Sequence, residues 1–391
     1  MKTLHENRTR MLFSSILFIS IFILITSTSA GTLKLGVIAP LSGPAASWGK
    51  SITEGVELAI DELDKAGGLS VKGEKYDVKI IPYDDKYTGS AAVQAANRLI
   101  SVDKVNVIFG SIGSASVLAF KPVTEKAKVL VFSNGFSRKI LTPDTQYMFR
   151  VTITSTESAK LLIPYVVKKS NVRKVALLGP NDESGQDLSA TDAEQYKKLG
   201  VEILYNEFYE RAQQDFYPQM TKIISLNPDL IDTSASSPGT TGLLAKQARD
   251  LGFKGAFLTP AGFYAQPVFE VAGKAADDFY YININLHSPN PKMLTFLKKY
   301  KDFFGRECDK TWTPVIYDMA KLLFQLVEKN GSTDSTVLKN ALEKIGTFET
   351  AVGKTYFSGK ETYGVDRQIM YPLWIFVFRD GKENPIEAIT P

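Results

Sequence analysis

The chain has 391 residues, with 46 lysine and arginine residues against 42 aspartate and glutamate residues, and a formal net charge of +4. Basic and acidic residues are interspersed, which argues against a nucleic-acid-binding protein, because such a protein needs a concentrated basic surface. Cys308 is the sole cysteine and there are 2 histidines, which excludes an intrachain disulfide and leaves little material for a His/Cys zinc site or a Ser-His-Asp triad. We therefore expect neither a metal nor a cofactor.

The N-terminal segment, residues 1–30, has the layout of a cleavable signal peptide. Lys2, Arg8 and Arg10 precede an apolar run over residues 11–25, and small residues follow as far as Ala30. A membrane anchor is the alternative, but the apolar run is shorter than the roughly 18 residues of a spanning helix. We expect cleavage near Ala30, and no lipid attachment because no cysteine stands near that site. The predicted product is periplasmic.

The remaining chain is longer than a single hydrophobic core usually supports, so two domains are expected. Apolar residues recur at helical spacing from Ile52 to Leu63, and Gly67-Gly68 ends that predicted helix. In the same half, strands are predicted over residues 33–38, 76–81, 105–109 and 129–132, and helices over residues 90–100 and 114–126. Strands that alternate with helices predict a parallel sheet covered on both faces.

The same alternation restarts after Arg150. Helices are predicted over residues 157–169, 186–199, 218–226 and 240–251, and strands over residues 175–178, 201–205, 230–233 and 256–258. No short-period repeat is present, so we interpret this half as a second α/β lobe and not as a solenoid. Two such lobes imply a cleft between them.

Two turns after predicted strands combine small residues with hydroxyl groups. The sequence GSIGSAS occupies residues 110–116 and SNGFS occupies residues 133–137. Ligands of open parallel sheets bind beyond the carboxyl ends of the strands, where these turns lie. The helix that starts at Ser114 directs its free N–H groups to this edge, which favours a carboxylate or a phosphate. The alternative is that Ser114 only caps its helix.

The two turns at residues 110–116 and 133–137 lack the lysine and the glycine spacing of nucleotide-binding loops. From residue 40 onward the chain contains, in this order, the motifs PLSGPAASWG, GVELAIDELDKAGG, YDD, GSIGSAS, MFRVTIT, DFYPQMTKI, NPDL and PVIYDMAKLL. In this order and over this length, the sequence resembles the type I periplasmic solute-binding proteins, in the leucine/isoleucine/valine-binding branch of branched-chain amino-acid-type ABC importers. The resemblance covers essentially the whole chain after residue 30.

This resemblance implies an α/β fold with two doubly wound parallel-sheet lobes joined by a three-segment hinge. The crossovers are expected near Ile153, at residues 283–286 and at residues 358–366. Lobe one would then comprise residues 31–153 and 286–360, and lobe two residues 154–285 and 361–391. The two lobes would close on a ligand like a hinged trap.

The resemblance also implies which residues hold the ligand. Ser114 matches the family serine that grips the ligand carboxylate, next to Ala115, and Gly135 and Ser137 flank Phe136 in the neighbouring turn of the site. Trp48 matches an aromatic residue that packs on the ligand. The alternative for Trp48 is a core aromatic of lobe one, although its SWGK context is polar and turn-like.

Lobe two departs from the family pattern at the positions that hold a ligand ammonium group. Acidic and tyrosine residues are usual there, because a desolvated cation needs such partners. This chain instead has Ser155, Ser184, Ser236 and Ala261. Asp182 and Glu183 lie nearby as possible substitutes.

Phe263 and Tyr264 follow the Ala261 position and offer aromatic walls, which suit an aromatic or otherwise apolar carboxylic acid. The alternative is that both rings only pack at a lobe edge.

The function expected from these residues is the extracytoplasmic binding component of an ABC importer, a monomer that delivers a carboxylate ligand to a membrane permease. Binding of branched-chain or other amino acids is one alternative, and a periplasmic sensor for a signalling receptor is another. We expect no enzyme, since no G-x-S-x-G motif is present and His287 stands in a turn-like segment.

Overall fold

The computed structural model describes residues 31–261 and 264–391. The predicted signal peptide and Phe263 lie outside the described residues. Among the described residues, no helix combines the length and the apolar character needed to cross a bilayer. The strands, in chain order, are β1 (Gly31–Ala39), β2 (Leu69–Val71), β3 (Glu74–Asp84), β4 (Val107–Gly110), β5 (Leu130–Ser133), β6 (Met148–Arg150), β7 (Lys174–Pro180), β8 (Glu202–Tyr209), β9 (Leu230–Asp232), β10 (Ala256–Thr259), β11 (Phe279–Asn283), β12 (Phe348–Thr350), β13 (Gly353–Ser358), β14 (Gln368–Met370), β15 (Leu373–Arg379) and β16 (Lys382–Ile389).

The helices cover the faces of the sheets and begin where strands end. A capping box closes the start of α4, where the Thr154 and Glu157 side chains satisfy backbone N–H groups. The helices, in chain order, are α1 (Ala46–Lys65), α2 (Gly89–Arg98), α3 (Ser114–Lys126), α4 (Ser155–Lys169), α5 (Glu183–Lys198), α6 (Tyr217–Ser225), α7 (Pro238–Asp250), α8 (Ala265–Ala272), α9 (Pro291–Phe304), α10 (Thr313–Asn330), α11 (Ser335–Leu342) and α12 (Lys360–Tyr363).

The described strands form two sheets. The nine-stranded sheet has the order β12-β13-β14-β6-β5-β4-β1-β3-β2, and the seven-stranded sheet has the order β16-β15-β11-β10-β9-β7-β8. Strands β1, β3, β4, β5 and β6 pair in parallel in the first sheet, and β7 to β11 do so in the second. The predicted two-lobe α/β fold is confirmed, and α3 begins and ends at the predicted residues.

Both sheets also have antiparallel strands, which the sequence prediction of parallel sheets did not include. Strand β2 pairs antiparallel with β3, and β15 pairs antiparallel with β11 and β16. Two of these pairs are hairpins with two-residue turns, Lys72-Gly73 and Asp380-Gly381, in which both residues have positive φ. Such turns match the twist of antiparallel strands, so each forces its strands to pair directly.

The chain passes between the two sheets three times, but the third passage is not where we expected it. Strand β14 stays in the first sheet, where Gln368 pairs with Arg150 of β6. The chain crosses only after Met370, at Tyr371 and Pro372, since proline cannot continue the backbone ladder. We therefore propose that lobe one comprises residues 31–153 and 286–370, and lobe two residues 154–285 and 371–391.

The two lobes are in contact in this structure. Trp48 and Trp312 of lobe one belong to the same buried apolar cluster as Ala261 and Tyr264 of lobe two. This arrangement is the closed form of a two-lobed protein. The carboxyl ends of the parallel strands in both sheets lead to this contact, and it is there that the predicted site residues can be compared with the structure.

Candidate functional site

Ser114 is the point at which the two predicted turns meet each other and lobe two. Its Oγ accepts hydrogen bonds from the backbone N–H groups of Phe136 (3.1 Å) and Ser137 (2.9 Å). The Ser184 hydroxyl of lobe two donates to the same oxygen at 2.9 Å, and the Ser114 N–H donates to Ser184 Oγ at 3.3 Å. Because these donors use the lone pairs of Ser114 Oγ, the Ser114 hydroxyl proton remains to donate at the start of α3, where a helix N-terminus favours an anion.

Five aromatic residues enclose this point, and we call them the aromatic cluster: Trp48, Tyr87, Phe136, Tyr264 and Trp312. The Trp312 ring packs against Phe136 at 5.6 Å and against Tyr264 of lobe two at 5.1 Å between ring centroids. Trp48 lies 6.1 Å from Phe136 and 6.2 Å from Tyr87. The Tyr264 hydroxyl also donates to Ser51 Oγ of lobe one at 3.0 Å. The walls of the site are therefore aromatic and come from both lobes.

The residues beside Trp48 and Ser184 are glycines for a steric reason. A Cβ at Gly49 would lie 1.9 Å from the Pro40 carbonyl oxygen, and a Cβ at Gly185 would lie 1.9 Å from that of Pro180. In each lobe the first turn of a helix thus packs directly on the end of the preceding strand. This close approach fixes where Trp48 and Ser184 stand.

A buried arginine, Arg150, binds the Phe136-Ser137 turn on its carbonyl side. Its Nη1 donates to the Ser137 carbonyl at 2.9 Å, while its side chain is fully buried and lies 3.7 Å from Glu157. Its guanidinium also lies 4.6 Å from the centroid of the Tyr363 ring. Because Arg150 binds the carbonyl side of the turn, the N–H groups of that turn are directed at Ser114.

The acidic residues nearest to Ser184 are already paired with cations. Asp182 accepts a hydrogen bond from Arg211 Nε at 2.6 Å, and Glu183 lies 2.9 Å from Lys139 Nζ of lobe one. Arg138 of lobe one forms a further ion pair with Asp187 of lobe two at 2.9 Å. These contacts use the carboxylates to hold the lobes together and to place Arg211.

Arg211 and Tyr87 meet across the mouth of the cleft. The guanidinium carbon of Arg211 lies 4.5 Å from the centroid of the Tyr87 ring. A cavity of about 370 Å³ lies beside this pair and is also lined by Pro44 of lobe one and Ser237 of lobe two. The mouth thus combines the Arg211 cation, the Tyr87 ring and an open volume.

The other lobe-two positions predicted from the sequence are buried. Ser236 Oγ accepts a hydrogen bond from the Tyr209 hydroxyl at 2.8 Å. Ala261 is 4% exposed and belongs to the apolar cluster that includes Tyr264. Within the described residues the fully buried Ser155 hydroxyl has no hydrogen-bond partner.

The structure changes the interpretation of two predicted residues. Ala115 is exposed, so its methyl group points away from the enclosed site. At Gly135 a Cβ would lie 2.4 Å from Ile140 Cδ1 and 3.0 Å from Val117 Cγ2. The glycine therefore also accommodates the close packing of lobe one at this turn. Ser137 contacts lobe two, where its hydroxyl donates to Glu183 at 3.2 Å.

Four contributors escaped the sequence analysis as site residues: Tyr87, Trp312, Arg150 and Arg211. Tyr87 stands two residues after the YDD motif, and Trp312 stands two residues before PVIYDMAKLL. Asp85 accepts the Tyr87 backbone N–H at 2.9 Å, which makes the acidic pair of that motif structural. For Tyr87 and Trp312, the position of an aromatic residue beside a recognised motif was the available signal.

The comparisons with known proteins agree with this geometry. The family model of the periplasmic binding proteins matches residues 32–383. The chain belongs to the periplasmic binding protein family. A Leu/Ile/Val-binding protein homolog of Brucella melitensis is 25% identical over 359 residues, which cover 91% of this chain and 94% of that relative. The fold is that of the type I periplasmic binding proteins.

Two solved structures resemble this periplasmic binding protein along most of its length. One is a branched-chain amino acid transporter substrate binding protein from Streptococcus pneumoniae in complex with isoleucine, 25% identical, TM-score 0.81, covering 92% of this chain and 100% of that one. The other is an ABC transporter solute binding protein from Rhodopseudomonas palustris in complex with 3,4-dihydroxybenzoic acid, 25% identical, TM-score 0.76, covering 92% of this chain and 97% of that one. The protein is thus a solute-binding protein of the ABC-transporter type.

Lobe two also contains two carboxyl groups that are buried side by side. Asp192 and Asp232 are 0% and 1% exposed, and Asp232 accepts hydrogen bonds from the Tyr196 and Ser234 hydroxyls at 2.9 and 2.8 Å. Burial raises the pKa of Asp232 to about 6, and burial together with the Asp232 charge raises the pKa of Asp192. One proton shared by the pair avoids two adjacent buried charges.

We predict that the Asp192–Asp232 pair makes the protein less stable as the pH rises. Both pKa values are raised in the folded state, so the stabilising proton is fully present below about pH 4 and is lost as the pH passes through about 6. In Asp192→Asn an amide replaces the protonated carboxyl. We expect the free energy of unfolding of this variant to match that of the wild type at about pH 4.5, and to exceed it at neutral pH by on the order of 1–3 kcal/mol.

Urea unfolding at several pH values measures this difference. The matched control is Asp64→Asn, which changes an exposed aspartate of α1 and should follow the wild-type pH dependence. An Asp192→Asn protein that is less stable than the wild type at neutral pH would contradict the shared proton.

We predict that Arg150→Met lowers stability by about 3–5 kcal/mol, because it leaves Glu157 buried without its cation. The Ser137 turn loses the contact that orients it, so ligand affinity should fall as well. Denaturant unfolding measures the loss of stability, and calorimetric titration with a carboxylate ligand measures the loss of affinity. Arg98→Met is the control, since Arg98 is exposed and lies over the Tyr83 ring. Unchanged stability in Arg150→Met would show that this arginine supports nothing.

Proposed function

We propose that the mature chain is the periplasmic component of an ABC importer, and that it closes its lobes on a small carboxylate with an aromatic or otherwise apolar body. The observation that carries this proposal is the position of Ser114. Its oxygen gathers two backbone N–H donors and one hydroxyl donor at a helix start, inside aromatic walls from both lobes. The anionic end of the ligand would bind there.

The charges in lobe two favour an acid without an ammonium group. The positions expected to hold such a group are Ser155, Ser184, Ser236 and Ala261. The substitutes we considered, Asp182 and Glu183, are paired with Arg211 and Lys139. An ammonium group would have to share these carboxylates with Arg211 or Lys139, which weakens its attraction to them.

The body of the ligand would contact the aromatic cluster. Trp48, Phe136, Tyr264 and Trp312 are each less than 5% exposed, so a ligand enclosed among them meets flat apolar surfaces. The indole Nε1 of Trp48 has no hydrogen-bond partner among the described residues. A ligand oxygen would satisfy this buried donor, which favours acids with a ring hydroxyl or a second oxygen.

Transport would follow from lobe closure. Signal-peptide cleavage near Ala30 would release a monomer to the periplasm, and the closed lobes would present the ligand to a membrane permease. The relatives support this role, since the solved neighbours include a substrate binding protein of a branched-chain amino acid transporter and a solute binding protein of an ABC transporter. Amino acids remain the competing ligand class because of the first of these relatives.

A thermal-shift panel on residues 31–391 tests the ligand class. We expect benzoate or its hydroxylated derivatives to raise the melting temperature, while leucine, isoleucine and valine leave it unchanged. At a hundredfold excess over Kd the stabilisation is about 2.7 kcal/mol, which corresponds to about 3–4 °C for a chain of this size. Ser114→Ala should abolish the shift.

Ser101→Ala serves as the control, because Ser101 is an exposed serine of lobe one. It should retain the full shift. Stabilisation by branched-chain amino acids with inert aromatic acids would refute the proposed ligand class. A full shift in Ser114→Ala would refute the proposed anion site.

A further inference from the structure

A second cavity lies between the lobes, on the far side of the aromatic cluster, and we call it the hinge pocket. Its volume is about 360 Å³, and its lining includes Phe269 and Phe378 of lobe two, His287 of the second crossover, and Thr311 of lobe one. Ala265 and Thr311, which line it, are the chain neighbours of Tyr264 and Trp312. The two sites are thus separated by the ring pair that closes the cleft.

The charge in the hinge pocket is negative. Glu383 lines it, and the Tyr281 hydroxyl donates a hydrogen bond to this carboxylate. Asp309 also lines the pocket, but it already lies 2.7 Å from Lys310 and 3.5 Å from Arg306. In the part of the chain that the structure describes, neither a lysine nor an arginine forms an ion pair with Glu383. The lining side chains themselves include neither of these two residue types.

Apolar and aromatic side chains form much of the remaining lining, beside Gln266, His287 and Cys308. Phe269 and Phe378 stack with an interplanar angle of 10° and a centroid distance of 6.1 Å. Ile284 and Leu286 lie on the crossover side. Thr311 Oγ1 is buried and lacks a hydrogen-bond partner among the described residues. Stacked aromatic rings beside a carboxylate and an unused hydroxyl acceptor are the combination that binds organic ammonium ions.

We propose that the hinge pocket binds a small organic ammonium ion with an apolar body, at a place separate from the carboxylate site. The ammonium group would lie between Glu383 and Thr311 Oγ1, and the body would lie against Phe269 and Phe378. Burial raises the pKa of Glu383, with Tyr281 and His287 acting in the opposite direction. A bound cation would favour the charged form of this half-buried carboxyl.

The pocket also depends on closure of the lobes. Lobe two supplies Phe269, Phe378 and Glu383, whereas lobe one supplies Thr311. A molecule that contacts both sides binds the closed arrangement and therefore stabilises it. By reciprocity, the ammonium ion and the ligand of the cleft would strengthen each other's binding, and this second part rests on the proposed function.

Calorimetric titration of residues 31–391 with phenethylammonium chloride tests the pocket. We expect saturable binding, and binding at least tenfold weaker for 2-phenylethanol, which has the same body without the charge. Glu383→Gln should weaken phenethylammonium binding at least tenfold while keeping the Tyr281 hydrogen bond. Phe269→Leu preserves the apolar volume and should weaken binding about threefold. Glu387→Gln, an exposed glutamate on the same strand, is the control and should bind normally.

Two further variants separate this proposal from the carboxylate site. Ser114→Ala and Arg138→Ala each remove a contact between the lobes, so both should weaken phenethylammonium binding about two- to fivefold without abolishing it. The proposal is overturned if phenethylammonium does not bind, if 2-phenylethanol binds equally well, or if Glu383→Gln and Phe269→Leu both bind normally. Loss of binding in Ser114→Ala would place the amine in the cleft and would also overturn it.

Discussion

The hydrogen bonds that converge on Ser114 Oγ are the interaction on which the rest of the site depends. They join the start of α3, the turn after β5 and the start of α5 of lobe two at one oxygen. Each partner has its own support, because Arg150 holds the turn and Gly185 lets α5 pack on the end of β7. The position of this oxygen is therefore set by both lobes together.

Charge pairing explains how one fold can serve different ligands. The carboxylates closest to Ser184 are used in pairs with Arg211, Lys139 and Arg138. Two of these three ion pairs, those of Lys139 and Arg138, join the lobes. Closure of the lobes therefore also neutralises carboxylates that would otherwise leave negative charge in the cleft. Glu383, on the far side of the aromatic cluster, forms no ion pair with a lysine or an arginine among the described residues. The two proposals together would therefore separate a site for anions from a pocket for cations.

Much of the fold was predictable from the sequence, because it follows from local patterns. The alternation of apolar runs and amphipathic segments predicted the parallel centres of both sheets, and small polar turns marked Ser114 and Ser137. The antiparallel edges were missed although Lys72-Gly73 and Asp380-Gly381 are two-residue hairpin turns. The run around Met370 is apolar on both sides of Pro372, so the sequence did not reveal that it is divided between two sheets.

The site was predicted less completely, because its members meet only in three dimensions. Trp312 is 264 residues from Trp48 by their sequence numbers, yet their rings lie 6.2 Å apart. Arg150 stood in a recognised motif, but its role depends on the carbonyl of Ser137, which no sequence pattern encodes. The same holds for Glu183 and Lys139, whose pairing decides that neither serves as an open charge in the cleft.

The most direct test of this account is a crystal structure of residues 31–391 with 4-hydroxybenzoate. The account predicts closed lobes, with the carboxylate accepting a hydrogen bond from the Ser114 hydroxyl at the start of α3, and with the ring against Trp48 and Trp312. A carboxylate that lies away from Ser114 would contradict it. So would a structure from an amino-acid soak in which Asp182 or Glu183 has left its basic partner to hold the ammonium group.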